Sequence, residues 1–214
     1  MISNDQGKKS DDIFNELYNK ICSSKLIDSL SEIRIVTCGN LKNLKTDFSN
    51  YKKCSIVDHN DDLFQFEFPT LLVMKKDCEL MENSTPILYM HLKGVTSNHD
   101  SWRNDLLKIV VDKHDECLQF LKDYNACGPL FSEPFINNTI QRHFSGNFWW
   151  TKSEHIKNLP NPDIQSMIKD FGFLVKGRKN KNRAAPADKN FRYIAEMWIG
   201  LLDTEKTHKL KEIK

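Results

Sequence analysis

Segments that read as strands alternate along this chain with segments long enough to be helices. That alternation constrains the fold more than any single motif. Residues 32–38 (EIRIVTC) alternate and are rich in β-branched side chains, which predicts a strand ended by Gly39 and Asn40. Residues 53–57 read as a shorter strand, followed by the acidic turn Asp58, His59, Asn60, Asp61 and Asp62. Residues 86–92 (PILYMHL) form an apolar strand stopped by Gly94, residues 124–131 another one broken at Gly128 and Pro129, and residues 146–150 a strand or turn. Between these, Ile13, Phe14, Leu17, Tyr18 and Ile21 recur at helical spacing over 11–22. Pro69 suits the first turn of a helix whose one apolar face carries Leu71, Met74, Cys78 and Met81. Leu107, Val110, Val111, His114, Cys117, Leu118 and Leu121 mark a long amphipathic helix over 101–122. A short helix follows from Ser153, and a last one over 189–203 carries Phe191, Ile194, Ala195, Trp198 and Leu202. The pattern predicts an α/β fold: a single layered domain with a mostly parallel central sheet flanked by helices. In such sheets ligands bind beyond the carboxyl ends of the strands, so residues just after strands are the first candidates for a site.

Composition narrows the functional classes. With 39% hydrophobic and 28% charged residues, disorder over the whole of the 214 residues is excluded. Lys plus Arg number 31 against 29 for Asp plus Glu, a balance that argues against nucleic acid as a partner. No apolar run approaches the roughly 18 residues of a membrane span, and the polar start 1–12 has no secretory h-region. The expectation is a cytoplasmic protein whose six cysteines, none in a CxxC pair, are free thiols. Its domains are expected as a disordered lead over 1–11, a folded unit over 12–203 and a polar tail over 204–214. The basic segment 176–190 reads either as a solvated mobile loop or as a loop closing on an anion.

Four constellations could carry chemistry. His91 and Lys93 are two apart at a strand end, so they face one side, and Gly94 lets backbone come close. That is a diphosphate cradle or an ordinary strand end. His143, Ser145, Gly146, Asn147, Trp149 and Trp150 combine aromatic faces with amide and hydroxyl groups, the means by which proteins hold sugar rings, although alternation must send some of them into a core. Arg192 and Glu196 are one helical turn apart, as a surface ion pair or as a carboxylate base oriented by a cation. Asp58, Asp61 and Asp62 either make an acidic turn or bring Mn²⁺ or Mg²⁺ through oxygen ligands. Asp100 or Ser101 suits the N-cap of the long helix.

Taken in order, ICSSKLID, EIRIVTCGN, FEFPTL, ILYMHLKGVT, DSWRNDLLKIVVDKHDECLQFL, HFSGNFWWTKSEHIKNLP and RYIAEMWIG resemble a group of small glycosyltransferase-like domains of bacteria, protists and large DNA viruses. The resemblance covers 12–202, with HFSGNFWW and AEMWIG its most specific parts. It implies a nucleotide-diphospho-sugar transferase fold of the GT-A type that transfers a hexose. His91, Lys93 and Gly94 match the HxKG step, and Trp102 and Arg103 match the WR pair. His143, Ser145, Gly146, Asn147, Trp149 and Trp150 match the HxSGNFWW box, and Arg192, Glu196 and Trp198 match the last motif. Three features depart from the pattern: no strand precedes the first helix, no Asp-x-Asp follows an apolar strand, and 176–190 reads as an insertion.

The sequence therefore reads as a glycosyltransferase using a nucleotide sugar as donor and a glycan or glycoprotein as acceptor. His91, Lys93, Gly94 and Arg103 would face the donor, the 143–150 box would hold sugar, and Glu196 with Arg192 would act on the acceptor hydroxyl. The alternative is a catalytically inactive glycan-binding or scaffold module built on the same fold.

Overall fold

The computed structural model describes residues 7–95, 99–133, 135–136, 139–140, 142–172, 192–201 and 210–214. The basic segment 176–190 lies outside the described residues, as do 1–6 of the expected lead and 204–209 of the expected tail.

The chain starts with helices α1 (Gly7–Ser23) and α2 (Leu26–Ser29), strands β1 (Ile33–Cys38) and β2 (Cys54–Asn60), helix α3 (Phe68–Leu80) and strand β3 (Pro86–Tyr89). Helices α4 (Asp100–Leu107) and α5 (His114–Phe120) come next, then strand β4 (Ala126–Gly128). Four two-residue strands follow, β5 (Phe131–Ser132), β6 (Phe135–Ile136), β7 (Thr139–Ile140) and β8 (His143–Phe144), and then β9 (Trp149–Lys152). Helices α6 (Ser153–Asn158), α7 (Ile164–Phe171) and α8 (Arg192–Met197) and strand β10 (Leu210–Glu212) complete the described elements.

The architecture is mixed α/β and layered. A four-stranded sheet in the order β10-β4-β9-β3 lies between two apolar cores. Alternation divides each strand between them. Tyr89, Ala126 and Trp149 enter the core built with α3, α6, α7 and α8, while Leu88, Cys127 and Trp150 enter the core built with α1, α4 and α5. The expected mostly parallel pairing is found between β1 and β2 and between β10 and β4, but β9 runs antiparallel to both β4 and β3. The reason is connection length and type. Between β4 and β9 the described chain makes only short strands and turns, not the helical crossover that parallel neighbours require.

Helix α1 begins at Gly7, ahead of the expected 11, and buries Ser10, Ile13, Leu17 and Ile21 along one face. The long helix expected over 101–122 is interrupted by a π turn at Lys108–Asp112. Within this turn the Val110 carbonyl accepts from the Trp150 indole N–H at 2.8 Å. The strand expected over 86–92 pairs only as far as Tyr89. Of the helix expected over 189–203, the described residues form α8 followed by a 3₁₀ turn at Trp198–Gly200, while 189–191 and 202–203 lie outside the described residues. Among the described residues no helix is long and apolar enough to cross a membrane.

Candidate functional site

A buried polar network forms where the end of β3 meets the start of α3. Glu67 stands just before α3 and is 7% exposed. Its Oε2 accepts from the Tyr89 hydroxyl at 3.0 Å and from the Asn147 amide. The Asn147 Oδ1 in turn accepts from the Trp149 indole N–H at 2.7 Å. His91 Nδ1 lies 3.4 Å from Glu67 Oε1, and His91 Nε2 lies 3.0 Å from the Gly146 carbonyl oxygen. A carbonyl can only accept, so Nε2 carries the proton. Burial pulls the His91 imidazole below its usual value, against the opposing pull of Glu67. Burial, with Glu67 second, pushes the Tyr89 phenol well above its usual value.

The turn Ser145-Gly146-Asn147 builds this network. Gly146 has φ +93° and Asn147 φ +56°, both left-handed, a region open to glycine and tolerated by asparagine. A Cβ on Gly146 would stand 2.7 Å from Leu106 Cδ1. The turn thus aims the Asn147 amide inward, between Glu67 and Trp149.

The second group of candidates lies beside it. Lys93 Nζ is 3.9 Å from Glu196 Oε1 and 4.2 Å from the centroid of the Trp102 ring. At that separation the pair attracts without a hydrogen bond. Gly94, with φ +96°, turns the chain directly after Lys93. Arg103 pins this turn to α1: its guanidinium pairs bidentately with Glu16, bonds Asp100 at 3.0 Å and donates to the Lys93 carbonyl at 2.7 Å.

The fold thus gathers His91, Lys93, Gly94, Arg103, Gly146, Asn147 and Glu196, which come from distant parts of the sequence. Several expected roles do not match the placements. Trp149 and Trp150 are 0% and 2% exposed, in the cores on opposite sides of the sheet, so neither offers a ring face to a sugar. Asn147 is committed to Glu67 and Trp149, and Arg103 to Glu16, Asp100 and Lys93. Arg192 donates to the Tyr193 hydroxyl at 3.3 Å and lies over that ring, while Glu196 faces Lys93. His143 is buried in β8, and Ser145 donates its backbone N–H to the Leu130 carbonyl.

Asp58, Asp61 and Asp62 serve local turns. Asp58 accepts from the His59 N–H, and Asp62 caps the turn at Leu63–Gln65 through the Phe64 N–H. Asp61 Oδ1 lies 2.9 Å from His59 Nε2, whose other nitrogen meets the Thr37 hydroxyl at 2.9 Å. Among the described residues no three His, Cys, Asp or Glu side chains come together as a metal-holding group. Burial pushes the Cys54 thiol up to about 11 and the Cys78 thiol up to about 12, which leaves both inert as nucleophiles at neutral pH.

Glu67 is the site residue that sequence reading missed. Its signal was present: an acid between two phenylalanines, immediately before a proline-led helix, in FEFPTL.

Comparison with known proteins gives one match. A family model described as a domain of unknown function (DUF8361) matches residues 1–202. No curated protein and no solved structure matches the chain.

Proposed function

We propose, for a chain that belongs to the DUF8361 family, the role of a glycosyltransferase. It moves a hexose from a nucleotide-diphosphate sugar to a glycan or protein hydroxyl, on a layered α/β fold of the nucleotide-diphospho-sugar transferase kind. The observation that carries this reading is the Lys93–Glu196 pair, a cation and a carboxylate 3.9 Å apart, beside the Trp102 ring and in the turn that follows β3. When the bond from the anomeric carbon to the diphosphate oxygen breaks, its electron pair stays on the phosphate. Lys93 offsets the charge that develops there. The acceptor oxygen forms the new bond to the anomeric carbon, and its proton passes to the Glu196 carboxylate. The half-buried Trp102 ring supplies an apolar wall for the sugar. Gly94 allows the backbone to approach a phosphate. Trp149, Trp150, Asn147 and Arg103 hold the frame.

The test is a donor-hydrolysis screen across nucleotide sugars, with and without Mn²⁺, alongside titration calorimetry with nucleoside diphosphates. Glu196→Gln should lower turnover by roughly 10²–10⁴-fold while donor binding persists. Lys93→Met should weaken nucleoside diphosphate binding. A wild-type protein that neither binds a nucleoside diphosphate nor hydrolyses any donor refutes the reading. The second reading, an inactive glycan-binding or scaffold module, is favoured by the internal commitment of Arg103 and Asn147. Glycan binding without nucleotide binding would select it.

A further inference from the structure

One edge of the four-stranded sheet is closed by a strand from outside the matched family domain. β10 runs parallel to β4, with Leu210, Lys211 and Glu212 beside Ala126, Cys127 and Gly128. The family match ends at 202, ahead of β10. β4 and the helix α5 before it lie inside the match, so the surface that receives the strand belongs to the family's domain and the strand does not. The hold is short. Backbone pairing spans three residues and gains one more bond, from the Ile213 N–H to the Gly128 carbonyl at 3.0 Å. The Ile213 side chain is buried in the core built with α1, α4 and α5. Two residues earlier, on the same face of the strand, Lys211 Nζ lies 5.4 Å from the centroid of the Phe120 ring and 5.8 Å from that of Tyr124. Those two rings meet edge to face at 6.0 Å. The Lys113 ammonium donates to the Lys214 carbonyl at 2.7 Å and closes the far end.

We infer that the edge of β4, with the Phe120 and Tyr124 rings, is a docking groove for an extended segment of a partner protein, which enters in place of β10. That segment lies parallel to β4 and carries a lysine or arginine two residues ahead of an aliphatic side chain. β10 shows what the groove reads: main-chain pairing gives affinity, and the ring faces and the Ile213 socket give specificity. A parallel strand does not arrive by a hairpin, so the pairing itself does not tie the strand to the chain that carries it. An edge strand held over three residues opens locally while the rest of the sheet stays closed. Once open, β4 presents an unpaired edge, which is a template for a strand of another chain.

Hydrogen exchange on the full chain tests this. The probe is an isotope-labelled peptide with the sequence of 208–214, and its control carries aspartate at the position of Ile213. The connection 202–209 is short and sets the effective concentration of β10 on the order of millimolar, so millimolar probe displaces a large share of it. Exchange at 210–213 should then rise on the order of tenfold or more, while 126–128 stays protected under the incoming strand. Ile213→Asp in the full chain removes the apolar anchor of β10, and a fluorescent form of the probe should bind that variant on the order of tenfold or more tighter than wild type. Unchanged exchange at 210–213 with millimolar probe, an equal effect of the control, or joint loss of protection at 126–128 would overturn the proposal. So would a folded variant that binds the probe no better than wild type. The wild-type arm decides alone where the variant does not fold.

Discussion

Glu67 accepts from two buried donors at once, and removing it should expose how much of the fold rests on that one carboxylate. In Glu67→Ala the Tyr89 hydroxyl and the Asn147 amide both lose their acceptor, and Tyr89 and Asn147 are 3% and 1% exposed, away from bulk water. Each unsatisfied buried donor costs about 1–3 kcal/mol, which sums to about 2–6 kcal/mol. Release of the buried charge offsets part of this, leaving an expected loss of about 3 kcal/mol. Glu67→Gln keeps an oxygen for the two donors and turns its amide N–H toward His91 Nδ1, which carries a lone pair when Nε2 donates to Gly146. That variant should lose less than about 1 kcal/mol. Urea unfolding followed by near-ultraviolet circular dichroism reads both, since Trp149 is tied to the network. If Glu67→Ala unfolds within about 0.5 kcal/mol of wild type, a resolution of that size being attainable, the network does not stabilise the fold.

Arg103→Met leaves Glu16 and the Lys93 carbonyl without their cation and should cost about 3 kcal/mol, with exchange rising first in α1; equal exchange throughout the chain would contradict it. Gly146→Ala places a Cβ at φ +93° and 2.7 Å from Leu106, for an expected loss of about 1–3 kcal/mol; a melting temperature unchanged within error would show that the turn is not constrained as described. His91 is held neutral in the folded protein, its value lowered by burial from 6.5, so the unfolded chain binds the proton first. Stability should be full above that value and decline as pH falls from there toward the lowered folded one. His91→Gln should flatten the dependence, and a wild type that gains stability on acidification would show a charged His91–Glu67 pair instead.

Periodicity carried most of the fold. The spacing of Ile13, Leu17 and Ile21 placed α1, and Leu71 and Cys78 are buried as the face of α3 requires. What periodicity could not carry was pairing direction. The antiparallel course of β9 depends on the absence of a crossover helix after β4, and Gly146 and Asn147 were legible as a turn but not as the turn that points the Asn147 amide at Glu67. The π turn was hidden for a different reason: Val110, Val111, Cys117 and Leu121 keep one buried stripe on either helix geometry. The strand-end rule singled out His91 and Lys93, which the structure sets beside Glu67 and Glu196, because it asks only where the chain leaves the sheet. It could not show that Trp149, Trp150, Asn147 and Arg103 are taken up by internal contacts, because aromatics, amides and guanidinium groups are also what a buried frame uses to satisfy its own polar atoms.

The most distinctive stretch of the sequence shows that overlap. In HFSGNFWW, Phe144, Phe148, Trp149 and Trp150 are buried, Gly146 is fixed by Leu106, and Asn147 joins Glu67 to Trp149. Packing and hydrogen bonding on both sides of one sheet already account for those choices. A motif explained by the frame is weak support for a ligand, however specific it is. Lys93, Glu196 and Trp102 are different. A lysine and a glutamate that are mostly covered stand 3.9 Å apart against an aromatic ring, and neither belongs to the apolar packing on the two sides of the sheet. Functional weight therefore moves from the aromatic box to this pair. If the protein transfers sugar, substitutions at Lys93 and Glu196 should alter turnover more than folding, while those at Trp149 and Asn147 should alter folding first.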